Sequence, residues 1–84
     1  MSIDNTFLNK INQAKLVKAT VNCQQKVDGI IIIKASRSLY HRGKAILYTL
    51  GGATITIDMD DICSCELHEG WTEYWIGDLY LRVA

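Results

Sequence analysis

The stretch Trp71-Thr72-Glu73-Tyr74-Trp75-Ile76-Gly77-Asp78-Leu79-Tyr80-Leu81-Arg82-Val83 decides how this chain folds. Two runs of aromatic and branched residues, types that suit a pleated and half-buried surface, flank a Gly-Asp pair. Glycine in the first position suits a two-residue type II′ turn, and such a turn sets the register of the strands on either side. Ile76 then faces Leu79, Tyr74 faces Leu81 and Thr72 faces Val83, all on one side of the ribbon, because successive side chains alternate. Trp75 with Tyr80, Glu73 with Arg82, and Trp71 fall on the other side. The first set reads as a core face. The second leaves two tryptophans and a tyrosine in need of a cover or a partner.

Upstream, the same pleated character extends back to residue 19. Isoleucine, valine and threonine supply 21 of the 84 residues, and their stiff χ1 favours strands over helices. Gly51-Gly52 reads as a second two-residue turn, joining 44–50 to 53–59. That register sets Leu50 opposite Ala53, Tyr48 opposite Ile55 and Ile46 opposite Ile57 on a buried face, with Thr49, Thr54, Leu47 and Thr56 on the wet one. Asp28-Gly29 reads as a type I′ turn joining 19–27 to 30–35. Ile30 to Ile33 is apolar on both faces, which places that strand centrally or under the helix. Looser connections fall at 37–43 and 68–71, and 62–67 is a further strand after an acidic corner at Asp60-Asp61.

Only the N-terminal segment has helical spacing. Phe7, Leu8, Ile11 and Ala14 form one apolar stripe in a helix over 4–18, with Ser2 or Asp4 as cap and Lys15 and Lys18 in the last turn. The expected fold is a single α+β domain over 1–84, mostly β. A helix within 1–18 packs on an antiparallel meander over 19–84 of about six or seven short strands, forming a bent sheet or a small, partly open barrel.

Composition narrows the function classes. An apolar fraction of 49% and a charged fraction of 21% are ordinary for a globular chain and exclude a disordered one. The longest apolar run, 29–33, falls far short of the ~20 residues of a membrane span. The first five residues lack the basic start and apolar stretch of a secretory signal. Three cysteines make no paired framework, which points to a reducing, cytoplasmic setting. A core this small has no room for a deep cleft and gives self-association a reason.

The net charge of zero hides an asymmetry. Residues 1–44 carry eight bases and two acids, and residues 45–84 carry one base and seven acids. Such halves either interleave and neutralise each other or make a dipolar surface that steers a partner or docks on a second copy.

Three constellations could carry chemistry. Cys63, Cys65 and His68, with Cys23, offer four donors of the kind zinc takes. Alternation on a strand sets the first two sulfurs about 7 Å apart, and Cys23, Cys63, Cys65 and Leu67 fit equally as small core side chains. No cofactor is expected. Arg37, Tyr40, His41, Arg42 and Lys44, in the most polar loop, could hold phosphate and stack a base. The chain's isoelectric point of 6.7 is low for a dedicated nucleic-acid domain. Ser36, Ser38 and His41 lack a third catalytic partner, no nucleophile elbow is present, and Asp58, Asp60 and Asp61 lack the remaining ligands of a calcium loop. No enzymatic activity is expected.

The run Ala53-Thr54-Ile55-Thr56-Ile57-Asp58-Met59-Asp60-Asp61-Ile62-Cys63-Ser64-Cys65-Glu66 resembles the latter half of small SH3-like or Sm-like barrels of bacteria and phages. In those families a strand, an acidic corner and a second strand follow in this order. The uridine-binding motifs of the Sm family are not present as such, and the terminal hairpin departs from its pattern. The resemblance implies a fold and selects no function. The expected function is therefore a small non-enzymatic module that binds another protein through Trp71, Trp75, Tyr80, Glu73 and Arg82. It fits an accessory or inhibitor protein of a phage or mobile element, with homo-oligomerisation through the C-terminal hairpin or the charged halves. The alternative is a small-barrel nucleic-acid binder using the 36–44 loop.

Overall fold

The computed structural model describes residues 3–21 and 29–84, without the side chains of residues 3–5 and 63. Helix α1 spans Ile3–Gln13. Strands β1 (Val17–Val21), β2 (Ile30–Arg37), β3 (Lys44–Thr49) and β4 (Thr54–Asp58) follow, then a 3-10 turn at Met59–Asp61 and β5 (Ile62–His68), β6 (Trp71–Ile76) and β7 (Leu79–Val83). The seven strands form one antiparallel sheet in the order β4-β3-β2-β1-β7-β6-β5, and the sheet does not close into a barrel.

The meander runs in two pieces. From β1 to β4 each strand pairs with the next. The Met59–Asp61 turn then carries the chain from one edge of the sheet to the other, and β5 to β7 step back until β7 lies beside β1. This turn is tied at both ends, with the Met59 amide donating to the Gly43 carbonyl at 2.6 Å and the Gly77 amide to the Asp61 carbonyl at 3.1 Å. Here the strand β4, the acidic corner and the strand β5 belong to an open sheet, and β4 and β5 lie at its opposite edges. The strand order interleaves the basic first half and the acidic second half: β1 and β2 lie mid-sheet, with β3 and β4 on one side and β7, β6 and β5 on the other. The halves meet where β1 pairs with β7, where β2 pairs with β3 and where Lys44 pairs with Asp58.

The core lies on one face of the sheet, under α1. Phe7 and Ile11 are buried there with Val17, Ala19, Leu47, Tyr74, Leu81 and Val83. The Phe7 and Tyr74 rings meet edge to face, with centroids 4.8 Å apart. The helix stops at Gln13, short of the expected Lys18. From Val17 onward the burial alternates as in a strand, and all five residues of β1 pair with β7. Lys10, not Lys15 or Lys18, occupies the last helical turn.

The β3–β4 hairpin corrects the expected register. The Thr49 amide donates to the Ala53 carbonyl at 2.9 Å, so the loop is Leu50-Gly51-Gly52, three residues long, with Gly52 at φ 96°. A three-residue loop ending in a left-handed glycine shifts the pairing by one, and a one-residue shift moves every side chain to the other face. Leu47 therefore pairs with Ile55 and Ala45 with Ile57 on the buried side, while Ile46 and Tyr48 are half-buried and Leu50 is exposed. In β2 a bulge between Ile32 and Lys34 lets Ile32 and Ala35 both face inward and leaves Ile33 exposed, so the strand is central but covered on one side only. Ile30 pairs with Ala19. Asp28 of the expected Asp28-Gly29 turn lies outside the described residues, as does the Ser2 cap. The other candidate cap, Asp4, has a side chain outside them too.

Beyond its short pairing with β1, the free side of β2 is closed by one side chain. The Asn12 amide donates to the Ala35 carbonyl and its oxygen accepts from the Ala35 amide, both at 2.9 Å, as a neighbouring strand would. Asn12→Ala is expected to cost about 1–3 kcal/mol of stability by urea unfolding, because it leaves two polar groups of a buried residue without partners. A loss under about 0.5 kcal/mol, the range of ordinary surface changes, would show that water replaces them.

Candidate functional site

Register about Gly77-Asp78 is as the sequence implies. Ile76 pairs with Leu79, Trp75 with Tyr80, Tyr74 with Leu81, Glu73 with Arg82 and Thr72 with Val83. Tyr74, Ile76, Leu79, Leu81 and Val83 are buried under the helix side of the sheet. Trp71, Glu73, Trp75 and Tyr80 are half-buried and Arg82 is exposed on the opposite face. The helix packs on the core face, so it does not cover these aromatics.

Strand β5 adds to that face. Glu66 pairs with Glu73 and His68 with Trp71, across a two-residue turn at Glu69-Gly70 where Gly70 takes φ 89°. Trp71 stands on the central strand of the three. The His68 ring stacks on it at 4.0 Å and 14°, and from β7 the Arg82 guanidinium lies 3.9 Å from the ring centroid. Trp75 and Tyr80 form a tilted pair at 5.6 Å. Glu73 is the hub: Tyr80 Oη donates to its Oε2 at 2.5 Å, and His68 Nε2 lies 3.0 Å from its Oε1.

These contacts set the electrostatics. Hydrogen bonds from Tyr80 and then from His68 hold the Glu73 carboxyl below its ordinary value, with the nearby charges of His68 and Arg82 acting in the same direction. Burial, and then donation to Glu73, push the Tyr80 phenol up to about 12. The signs follow from linkage. A depressed carboxyl stabilises the fold above the unfolded chain's carboxylate pKa, and that stability is lost as pH falls through the lower folded value. A raised phenol contributes fully below its unfolded value of 10 and is lost as pH climbs toward 12. Tyr80→Phe is therefore expected to flatten both the acid and the alkaline limbs of melting temperature against pH. An acid limb unchanged from wild type would contradict the Tyr80–Glu73 bond.

The other candidate sets are placed differently. Cys65 pairs with Tyr74 and shares the core-side face of β5, whereas His68 lies on the opposite face, so these two of the expected zinc donors do not converge. Cys23 and the Cys63 side chain lie outside the described residues. Cys65 and Leu67 are also exposed rather than part of the core, because β5 is an edge strand that α1 does not reach over.

Arg37 ends β2, Lys44 begins β3, and Tyr40, His41 and Arg42 are exposed in the loop between them. The loop is closed by the Ser38 amide donating to the Lys44 carbonyl, and Ser38 Oγ accepts from the amides of Tyr40 and His41. It is separated from β6 by β1 and β7 in the sheet, so the two candidate surfaces are distinct.

No family model, no curated protein and no solved structure matches this chain. The outer face of β5–β7 must be read from its own chemistry. Glu66 and His68 belong to this face through β5, outside the C-terminal hairpin. Their signal in the sequence is Gly70: treating Glu69-Gly70 as a two-residue turn pairs His68 with Trp71 and brings both residues onto the face. Beside it, an open groove of about 650 Å³ runs past Lys10, Lys15, Leu67, His68, Trp71 and Val83. Among the described residues, no helix is long and apolar enough to cross a membrane.

Proposed function

We propose that this chain is a small non-enzymatic module that binds another protein through the outer face of β5–β7. The observation that carries the reading is the aromatic trio Trp71, Trp75 and Tyr80 on the sheet face that α1 leaves open. Tryptophan, tyrosine and arginine dominate the energy of protein interfaces. Here their side chains are already held by one another through the Trp75–Tyr80 pair and the Trp71–Arg82 stack, which lowers the entropy cost of binding. Glu66 and Glu69 are exposed at the margin of the face, so the surface suits a partner with an apolar centre and a basic rim. The compact fold and the free, exposed Cys65 suit a cytoplasmic accessory or inhibitor protein of the kind that phages and mobile elements carry. A second copy of this chain, offering the basic side chains of its 36–44 loop, would meet the same description.

Salt dependence tests this reading against the nucleic-acid alternative centred on Arg37, Tyr40, His41, Arg42 and Lys44. Binding of the co-purified partner through an apolar aromatic centre is expected to weaken only slightly between 50 and 200 mM salt, whereas phosphate-driven binding falls by orders of magnitude over about that range. A steep fall, abolished by Arg37→Ala with Arg42→Ala, would move the function to the loop.

A further inference from the structure

We propose that Glu66, His68 and Glu73 form a binding site for a zinc-type divalent cation on the outer face of β5 and β6. This inference stands on the geometry of the three donors and does not depend on the protein-binding reading. His68 Nε2 lies 3.0 Å from Glu73 Oε1 and 3.4 Å from Glu66 Oε1. One donor atom from each residue falls within 4.8 Å of the others. Tetrahedral ligands about 2.0–2.1 Å from a zinc ion sit roughly 3.3 Å from one another, so the two histidine distances already match, and only the separation of the carboxylates has to shrink. Glu66 can supply that movement, since its side chain is 63% exposed and meets only His68 among the contacts described.

The other two donors are held. His68 is stacked on Trp71, which fixes the ring with Nε2 toward both carboxylates. Tyr80 occupies Oε2 of Glu73 and leaves Oε1 for the ion, the kind of outer hydrogen bond that orients ligands in metal sites. Two carboxylates and one neutral imidazole offset the ion's double charge, and Arg82, the cation nearest by register, is engaged on Trp71 from the β7 side. Nitrogen and oxygen donors on an open face leave a fourth position for water or for a side chain of a bound partner.

The test uses the full chain, freed of metal, and titrates it with Co²⁺ as a spectroscopic stand-in for Zn²⁺. Wild type is expected to bind one ion per chain, with quenching of tryptophan emission because Trp71 lies against His68, and without a thiolate-to-cobalt charge-transfer band. Glu66→Gln, at an exposed position, keeps the fold by circular dichroism and is expected to weaken binding at least about tenfold. His68→Gln is expected to abolish the one-to-one endpoint. A thiolate band, the absence of a one-to-one endpoint in wild type, or equal affinity in wild type and Glu66→Gln would overturn the site.

Discussion

Phe7→Ala is expected to remove about 3–5 kcal/mol of folding stability, the range for truncating a fully buried aromatic. Phe7 has no exposed surface, and its ring meets the buried Tyr74 edge to face, so its loss opens a cavity between α1 and β6. A small domain has on the order of 5–15 kcal/mol to lose, so the variant should unfold at much lower urea concentration, and helix and sheet signals should disappear together. A loss under about 1 kcal/mol would mean that α1 does not cover the core face. The separation of a covered face from an open one, on which the proposed binding surface rests, would then fail.

The second large effect falls on binding. Trp75→Ala is expected to weaken partner association by about 2 kcal/mol or more, which is roughly thirtyfold in Kd. Its cost in stability should be modest. Trp75 is half-buried and its ring pairs only with Tyr80 among the aromatic contacts described, an arrangement that contributes about 0.5–1.5 kcal/mol beyond its burial. Isothermal titration and a thermal melt on the same preparation separate the two quantities. A variant that loses several kcal/mol of stability while binding its partner as wild type does would make Trp75 a structural residue.

The contrast between two hairpins shows what the sequence could and could not specify. Gly77-Asp78 leaves room for one tight turn, and every pair from Ile76/Leu79 to Thr72/Val83 follows from it. Leu50-Gly51-Gly52 offers two glycines for one left-handed position, and both strands are apolar on alternate registers. Ile46, Tyr48 and Leu50 could fill a core as well as Ala45, Leu47 and Thr49, and the choice falls to Gly52 and to the Thr49 hydroxyl, which bridges the carbonyl and amide of Ala53 at 3.0 Å each. The helix boundary was obscured for a similar reason: Leu16 and Val17 continue a helical stripe as readily as they begin a strand, and only the pairing of β1 with β7 decides. At the site, Trp71, Glu73, Trp75, Tyr80 and Arg82 were legible because they share one hairpin. Glu66 and His68 reach them across a second turn whose glycine is a fainter signal, and the Glu73 hub is a property of three strands together.

The most direct measurement of the central claim is a hydroxyl-radical footprint of the chain, free and bound to the partner that co-purifies from its own cell. Radical oxidation labels tryptophan, tyrosine and histidine, so both candidate surfaces report in one experiment. Binding through the outer face predicts protection of Trp71, Trp75, Tyr80 and His68, with Tyr40 and His41 labelled as in the free chain. Protection confined to Tyr40 and His41, with the β6 and β7 aromatics unchanged, would contradict it.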